Sequence, residues 1–393
     1  MSGDTRLSEQ HPVLISVGTR PEIIKMAPVY DELRRRGMPV AWVHTGQHRE
    51  MAETLYHFFD IQPAHELDLQ RRDGSLAHLS ALLLEGLTEV FTRVRPSAVL
   101  VHGDTSSTLA SAMAAYYLDM PIGHVEAGLR THQAREPFPE EKNREITARL
   151  ARWHFAPTAG AAANLLQEGI AACAIHTVGN TAVDAAQAGT RRLDRLLAEG
   201  GAALPPALAA LRPRLPEWQL VTVTAHRREN WGDGIRHIAR AVSRLLDRHP
   251  RLAVVWPVHG NPAVSDVVHA ELGARVAELG GRLTLCPPLD YPALLWCLQN
   301  STLALTDSGG IQEEGAALSL PVLVLRESTE RPELIAAGAG ALVGTDQQHI
   351  VDSVSTLLGD GPTLAGMRDA INPFGDGQSA HRIATVLQQT LGA

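Results

Sequence analysis

The residues best suited to chemistry in this sequence are charged side chains that directly follow short apolar runs. Three carboxylates stand at the end of such a run or at the start of a helical pattern, namely Asp104, Glu126 and Glu140, and His226 follows a further run. Carboxylates beside cationic groups suit acid/base chemistry on a ligand that carries negative charge. Each has an ordinary structural explanation, since aspartate caps helices and glutamate favours their first turn. The accumulation of polar groups after so many apolar runs favours the chemical interpretation.

An anion-binding pattern begins at Asp307, where an apolar run ends and Ser308-Gly309-Gly310 leads into a helical pattern. Free backbone N–H groups and the positive end of a helix dipole would face a phosphate there. Glycines allow close approach of a ligand, and Glu314, one turn into the helix, could reach a ribose hydroxyl. An ordinary helix start capped by aspartate or serine explains the same pattern. The segment alone leaves phosphate binding and simple capping open.

The elements that would position these groups alternate between strand and helix. Continuous apolar runs between helices predict parallel sheets that are covered on both faces. An interval rich in alanine, glycine and proline extends from about Gly189 to Pro216, and the alternation of strand and helix patterns begins again after it. This arrangement predicts two doubly wound α/β domains. Ligands bind outside the carboxyl ends of such strands, so we expect the site in a cleft between the domains. The predicted strands are 13–17, 40–44, 98–102 and 122–125, and then 220–224, 252–256, 283–285, 303–306 and 322–325.

Composition excludes several classes of function. The chain has 393 residues, 45% of them hydrophobic, and a formal net charge of -8 without a basic run, which argues against nucleic acid or an anionic membrane as partner. The N-terminus lacks an apolar signal core, and no apolar run is long enough to span a bilayer, so we expect a soluble, cytoplasmic protein. Cys173, Cys286 and Cys297 have neither metal nor disulfide spacing.

Cofactor-binding motifs are also missing from the sequence. No Gly-x-Gly-x-x-Gly follows the first predicted strand, and neither a P-loop nor a Gly-x-Ser-x-Gly nucleophile elbow occurs. His44 and His48 have i, i+4 spacing, but Gly46 and the loop setting argue against a metal site. We therefore predict no cofactor and no metal.

The ordered motifs resemble those of the non-hydrolysing UDP-N-acetylglucosamine 2-epimerases, and the resemblance runs nearly end to end. Each motif is weak by itself, whereas the ordered set is highly specific. The matching segments are 18–22 with 25–28, 45–48, 102–105, 124–130, 137–141, 226–229, 306–314, 329–333 and 372–377.

The resemblance implies a fold of the glycosyltransferase-B type, two Rossmann-like domains facing a central cleft, in a protein that is usually a homodimer. We place the N-terminal domain at residues 1–178 and the UDP-binding domain at residues 179–378. The final helix, within residues 379–393, would fold back onto the first domain. The implied reaction interconverts UDP-N-acetylglucosamine and UDP-N-acetylmannosamine without metal or nicotinamide.

The family's functional residues transfer to matching positions of this sequence. Asp104, Glu126, Glu140 and His226 match the residues held to be catalytic. The implied substrate contacts are Arg20, Lys25, Arg144, His226, Ser308, Gly309, Gly310, Glu314 and Arg331, with Glu314 on the ribose and Glu313 left for structure. Gln47 and His259 match positions of an effector pocket that binds UDP-N-acetylglucosamine beside the active site.

The chemistry explains why such a set is needed. The hydrogen on C2 of the sugar is not next to a carbonyl, so a base cannot remove it as in an enolisation. If the C1–O bond to UDP breaks as the proton leaves, the product is a 2-acetamidoglucal, and UDP adds back after C2 is protonated from the other face. This scheme requires stabilisation of the departing diphosphate and acid/base groups on both faces of the ring. Residue types do not assign a carboxylate to a face.

The sequence departs from the family pattern at several positions. Ala225 replaces a glycine before His226 and Gly260 replaces a bulkier apolar residue after His259, and both are small changes that leave the polar groups in place. In addition, the segment 69–76 lacks the arginine-glutamine pair usually found near Asp73-Gly74, and Glu50 replaces a frequent polar neutral residue. We hypothesise that effector activation is weakened or altered.

Three alternative functions remain open at the level of sequence. The nearest is the same chemistry on a modified substrate such as a UDP-2,3-diacetamido-uronic acid. The second is a hydrolysing epimerase that releases UDP and free N-acetylmannosamine, and the third is a non-catalytic UDP-sugar-binding regulator.

Overall fold

The computed structural model describes residues 11–46, 49–70 and 72–392. The chain divides into two compact units, of which the second spans Ala186–Phe374. The first unit ends at Ala185 and takes up the chain again at Gly375. From the sequence, the second domain was predicted to span residues 179–378. Residues 179–185 and 375–378 instead belong, by their contacts, to the first unit.

The first unit is built on a parallel sheet with the order β3-β2-β1-β4-β5-β6-β7 in the described part of the chain. Its helices cover both faces, which is why a central strand such as β4 is buried along its whole length. The strands are β1 Val13–Val17, β2 Val40–His44, β3 His65–Glu66, β4 Ala98–His102, β5 Ile122–Val125, β6 Trp153–Ala156 and β7 Ile175–Thr177. The helices are α1 Arg20–Arg35, α2 Arg49–Phe59, α3 Leu76–Val94, α4 Ser106–Tyr117, α5 Glu140–Leu150, α6 Ala159–Gln167 and α7 Thr181–Glu199, of which α7 begins in this unit and ends in the second.

The second unit repeats this architecture with the order β10-β9-β8-β11-β12-β13 among the strands that the structure describes. Every strand pair is again parallel. The strands are β8 Gln219–Thr224, β9 Leu252–Pro257, β10 Leu283–Cys286, β11 Leu303–Thr306, β12 Val322–Val324 and β13 Gly340–Leu342. The helices are α8 Pro206–Leu211, α9 Asp233–Arg248, α10 Pro262–Glu278, α11 Tyr291–Asn300, α12 Gly309–Ala317, α13 Pro332–Ala336, α14 Gln347–Gly359 and α15 Gly361–Arg368.

Local sequence explains the limits of the elements. Helix α1 follows Thr19, which forms a capping box with Glu22, has Pro21 in its first turn, and stops before Gly37, whose φ is +71°. A buried cluster in the first unit joins Leu83 and Phe91 of α3 to the strands. In the second unit, the cluster joins α9 to Trp256 and neighbouring strand residues. Each sheet thus has its own apolar core.

The prediction of two doubly wound α/β units is confirmed, and every predicted strand is present within one or two residues of its expected limits. A last strand and helix of the first domain were also expected near Ile175 to Ala188, and β7 begins at Ile175. β3, β6 and β13 were not predicted from the sequence. β3 consists of two polar residues, β6 follows α5 with no glycine or proline between them, and β13 lies in a stretch rich in alanine and glycine, so none stands out as a separate apolar run. Among the described helices, none has the length and apolar character needed to cross a membrane.

The last helix, α16 Ser379–Leu391, packs on α1 within the first unit. Arg36, just after α1, donates to the side chain of Gln388 at 3.2 Å and to the carbonyl of His381 at 2.9 Å. The Asp184 carboxylate accepts a hydrogen bond from the N–H of Ala380 at 2.9 Å. The end of the chain is therefore tied to the start of the first unit.

Candidate active site

Several predicted functional residues follow the strands between which the strand order of each sheet reverses. In the first unit this point lies between β1 and β4, and in the second between β8 and β11. Because paired parallel strands end on the same side, the two loops that follow each pair are neighbours. The loops after β1 and β4 carry Arg20 and Asp104, and those after β8 and β11 carry His226 and Ser308. This is where doubly wound sheets bind ligands.

A buried carboxylate joins the two loops of the first unit. Glu22 is 2% exposed and accepts hydrogen bonds at Oε2 from the N–H groups of Gly18 (3.0 Å) and Thr19 (2.7 Å). Its Oε1 accepts from the hydroxyl of Thr105 at 2.8 Å and from that of Thr108 at 3.0 Å. Burial raises the pKa of Glu22, although these hydrogen bonds oppose the rise. Sequence analysis did not select Glu22; the capping-box spacing Thr19-x-x-Glu22 was the available signal.

Asp104 is held by the first turns of α5. Its Oδ2 accepts from Arg144 Nε at 2.8 Å, and its backbone carbonyl accepts from the Asn143 side chain at 2.8 Å. Arg144 also donates to the buried Glu141 at 2.8 Å. Burial acts to lower the pKa of Arg144, but Asp104 and Glu141 raise it. The guanidinium predicted to contact substrate thus also positions a predicted catalytic carboxylate.

Glu126, directly after β5, forms an ion pair with Lys25 of α1. The Glu126 backbone adopts a φ of +64°, which is unfavourable for a residue with a side chain. His102 Nε2 lies 3.8 Å from Glu126 Oε2. Behind this group, the His124 ring contacts the carbonyl of Gly103 at 2.8 Å, and burial lowers its pKa to about 3, so that ring is neutral. Lys25 is therefore in contact with a predicted catalytic group.

Glu140 is the first residue of α5 and differs from the other two carboxylates in its surroundings. Its Oε2 is buried and has no hydrogen-bond partner among the described residues. Buried polar atoms in proteins are almost always paired, and an exception is typical of a group that meets a ligand. The three predicted catalytic carboxylates thus have three different environments: an arginine contact, a lysine contact, and one oxygen without a protein partner.

The start of α12 in the second unit has the features of an anion site. Within the described chain, the Ser308 side chain forms no capping hydrogen bond, while its N–H donates to Thr306 Oγ1 at 3.0 Å. A Cβ added to Gly309 would lie 3.9 Å from the Arg331 guanidinium carbon. Arg331 Nε donates to Glu313 at 2.6 Å. Helix N–H groups and a cation therefore meet at one place, and the alternative of side-chain capping by Ser308 is wrong.

The two glutamates of α12 have different neighbours. Glu313 is 1% exposed and holds Arg331, which is the structural role expected for it. Glu314 lies near the buried phenol of Tyr291, because burial and the Glu314 charge both raise the Tyr291 pKa well above its usual value. Glu314 is partly exposed as a residue, but its Oε2 is buried.

His226 is fixed by Asp307, the residue that precedes Ser308. Asp307 Oδ2 accepts from the N–H groups of His226 and Arg227, both at 2.8 Å, and from the Asn230 side chain at 3.0 Å. Its Oδ1 lies 3.2 Å from His226 Nδ1. Asp307 was noted in the sequence only as the start of the anion-binding pattern.

The predicted effector residues are partly described. His259 follows β9 and its ring stacks on that of His226, with 5.8 Å between centroids and 16° between planes. Gln47 lies outside the described residues. No group of three or more histidine, cysteine or acidic side chains that could hold a metal ion occurs in the ranges that the structure describes.

The first unit contains three predicted catalytic carboxylates in different surroundings. The second contains the candidate anion site at the start of α12 and His226, whose backbone and ring contact Asp307. Carboxylates with different partners can take opposite roles in proton transfer. A helix start with an arginine suits a diphosphate.

Comparison with known proteins gives a consistent result. Residues 31–388 match the family described as UDP-N-acetylglucosamine 2-epimerase. The UDP-N-acetylglucosamine 2-epimerase of Escherichia coli is 42% identical over 381 residues, which cover 96% of this chain and 98% of that protein. The crystal structure of UDP-GlcNAc 2-epimerase from Neisseria meningitidis bound to UDP-GlcNAc has a TM-score of 0.84 and 37% identity, covering 96% of this chain and 100% of that chain. The structure of S. aureus MnaA with UDP has a TM-score of 0.83 and 36% identity, covering 98% and 97%.

Proposed function

The chain belongs to the UDP-N-acetylglucosamine 2-epimerase family of isomerases, and from this premise we propose that it interconverts UDP-N-acetylglucosamine and UDP-N-acetylmannosamine by elimination and re-addition of UDP. The observation that carries the proposal is the start of α12, where helix N–H groups lie beside the Arg331 guanidinium. A relative in this family was crystallised with UDP-GlcNAc and another structure with UDP. A site for a diphosphate is the first requirement of the reaction.

In the proposed reaction, the second unit holds the leaving group. Ser308, Gly309 and Gly310 would donate backbone N–H groups to the diphosphate, with Arg331 compensating its charge. Glu314 would accept hydrogen bonds from the ribose hydroxyls. Arg20, at the start of α1, would add a further cation to the diphosphate. These contacts hold UDP while the C1–O bond is broken, so that the same molecule can add back.

Proton transfer would fall to Asp104, Glu126, Glu140 and His226. As the C1–O bond breaks, positive charge at C1 acidifies C2–H, and one carboxylate removes that proton to leave 2-acetamidoglucal and UDP. Protonation of C2 from the other face, followed by return of UDP to C1, completes the inversion. Two faces require two differently placed acid/base groups. We keep Lys25 and Arg144 among the substrate contacts, where each would also orient its carboxylate partner.

The decisive experiment follows UDP-N-acetylglucosamine by proton NMR in heavy water. We expect UDP-N-acetylmannosamine to appear with deuterium at C2, because the removed proton exchanges with solvent before C2 is protonated again. A spectrum that stays unchanged at high enzyme concentration refutes this substrate and directs the search to a modified UDP-sugar. UDP accumulating in step with free N-acetylmannosamine identifies a hydrolysing enzyme instead. Tight UDP binding without exchange at C2 identifies a regulator.

Effector activation is a separate proposal, namely that it is weakened or altered in this chain. The departures in sequence near Asp73 and at Glu50 motivate it, and the stacking of the His259 ring on the His226 ring supports a connection between the two predicted sites. The reverse reaction should therefore start from pure UDP-N-acetylmannosamine without a lag. A velocity that stays at zero until UDP-N-acetylglucosamine is added refutes this. The homodimer and the cytoplasmic location stay predictions of the sequence.

A further inference from the structure

One fully buried carboxylate links the anion seat of the second unit to its histidine. Asp307 is 0% exposed, although it lies at the carboxyl end of β11 where the chain turns towards the partly exposed Ser308. Three N–H donors meet its Oδ2, from the backbone of His226 and Arg227 and from the side chain of Asn230. The second oxygen, Oδ1, faces the ring of His226 at 3.2 Å. The carboxylate thus fixes both the backbone and the ring of a predicted catalytic residue.

The hydrogen bonds determine where the ring proton lies. Burial acts to raise the pKa of Asp307, but the hydrogen bonds from the His226 ring and from the Arg227 N–H hold it below its usual value, so the carboxylate is ionised. An ionised carboxylate only accepts hydrogen bonds. Oδ1 lies 3.2 Å from Nδ1 and accepts no other hydrogen bond among the described residues, so a proton on Nδ1 would give this buried oxygen a donor. The other nitrogen, Nε2, is then a bare acceptor in the neutral ring and a donor in the charged ring.

The other charged or titratable groups near His226 have contacts that do not involve its ring nitrogen Nδ1. The His259 ring stacks on the face of His226. The Arg227 guanidinium lies 4.0 Å from the Glu330 carboxylate, and Arg326 donates to Glu229 at 2.5 Å, so these charges have partners of their own.

We propose that Asp307 is a positioning residue that keeps the His226 proton on Nδ1, so that Nε2 is the nitrogen offered to the UDP-sugar. The catalytic part of this inference rests on the proposed function, whereas the tautomer itself does not. A proton taken up during the reaction would enter at Nε2, and the Asp307 carboxylate would stabilise the charged ring. The wrong tautomer would present an N–H where an acceptor is required.

Asp307→Asn tests this with little change in shape. The amide oxygen can still accept the three N–H donors, while the amide nitrogen replaces Oδ1 and donates towards the ring. Nδ1 must then become an acceptor, which moves the proton of the neutral ring to Nε2. Two-bond nitrogen–proton NMR spectra distinguish the tautomers, and the His226 signals are identified by their loss in His226→Gln. We expect the Nδ1–H pattern in the wild type and the Nε2–H pattern in Asp307→Asn.

Kinetics measure the consequence. We expect kcat of Asp307→Asn to fall at least about 100-fold, the low end for loss of general acid/base function, with UDP affinity nearly unchanged. Asn230→Ala is the matched control, since it removes one donor to Asp307 and a hydrogen bond to the Leu325 carbonyl but leaves the ring contact. It should lower thermal stability while keeping kcat and the Nδ1–H tautomer.

Several results would overturn the proposal. These are an Nε2–H tautomer in the wild type, a variant that keeps Nδ1–H, a switched tautomer with normal kcat, or an equal loss of kcat in Asn230→Ala. If Asp307→Asn does not fold, the wild-type tautomer decides alone. A wild-type protein that binds UDP without epimerising UDP-N-acetylglucosamine refutes the proposed reaction, and the NMR result then still decides the role of Asp307.

Discussion

The buried Glu22 allows a sharp prediction, because its four donors differ in kind. Two are backbone N–H groups, which only donate, and two are threonine hydroxyls, which also accept. In Glu22→Gln, the amide oxygen can face the N–H groups of Gly18 and Thr19 while the amide nitrogen donates to the hydroxyls of Thr105 and Thr108. Every polar group then stays paired. In Glu22→Ala, both N–H groups lose their acceptor inside the protein.

The magnitudes follow from this count. A buried donor without a partner costs about 1–3 kcal/mol, so two orphaned N–H groups make Glu22→Ala about 2–6 kcal/mol less stable than the wild type. For a unit of this size, each kcal/mol lowers the melting temperature by about 2–4 °C, which gives a loss of about 10 °C. Glu22→Gln, with all partners kept, should lose far less.

The pKa of Glu22 adds a dependence on pH with a definite sign. Burial raises the pKa of Glu22 in the folded protein above the ordinary value of a glutamate, so the folded state holds the proton more tightly than the unfolded state. Stability therefore falls as pH rises from the unfolded pKa through the folded one, and the loss persists at higher pH. Glutamine has no such titration. The stability of Glu22→Gln relative to wild type should therefore rise as the pH increases above the ordinary pKa of a glutamate.

Calorimetric melting of the three proteins across this pH range is the assay. A Glu22→Gln variant as unstable as Glu22→Ala would show that the carboxylate's charge, and not its acceptor geometry, holds the loops. A relative stability that falls with rising pH would refute the assigned direction of the pKa.

Three further predictions concern the site and its loops. Asp104→Asn should lower kcat by about 10²- to 10⁴-fold with UDP affinity retained, by steady-state kinetics and calorimetric titration; a normal kcat removes Asp104 from the catalytic set. Arg331→Ala should weaken UDP binding about 10- to 150-fold, the worth of a charged hydrogen bond, and an unchanged Kd contradicts its role. Gly18→Ala should cost about 1–3 kcal/mol by overpacking, because the added carbon would lie 2.3 Å from two buried hydroxyl oxygens. Gly74→Ala is its control, since the added carbon meets no described atom within 4 Å, and equal melting temperatures for the two variants would refute the overpacking.

In both units, a buried carboxylate connects the two chain segments that follow the strands where the strand order reverses. The carboxylate belongs to one segment and accepts hydrogen bonds from N–H groups or hydroxyls of the other. Glu22 does this in the first unit and Asp307 in the second. Neither residue contacts substrate in the proposed reaction. Rigid loops at a switch point are what a site needs if it must hold a detached intermediate.

The fold was largely predictable because its signals are local. Apolar runs such as 98–102 and 303–306 indicate buried parallel strands wherever they occur, and capping residues with glycine stops delimit helices. The strands that were missed lack that signal. β6 follows α5 with no glycine or proline between them, and β3 consists of two polar residues, so their assignment depends on neighbours in the sheet.

The α/β architecture, the glycine-containing helix start after Asp307 and the ordered motifs of the epimerase family could be recognised from the sequence, because each depends on residues that are close together in the chain. Tertiary structure alone decided which charges meet. Lys25 reaches Glu126 across 101 positions, Arg144 reaches Asp104 across 40, and His226 reaches Asp307 across 81. Such pairs depend on the order of strands in a sheet, and no local pattern encodes that order. The roles of Glu22 and Asp307 therefore became visible only in the folded protein.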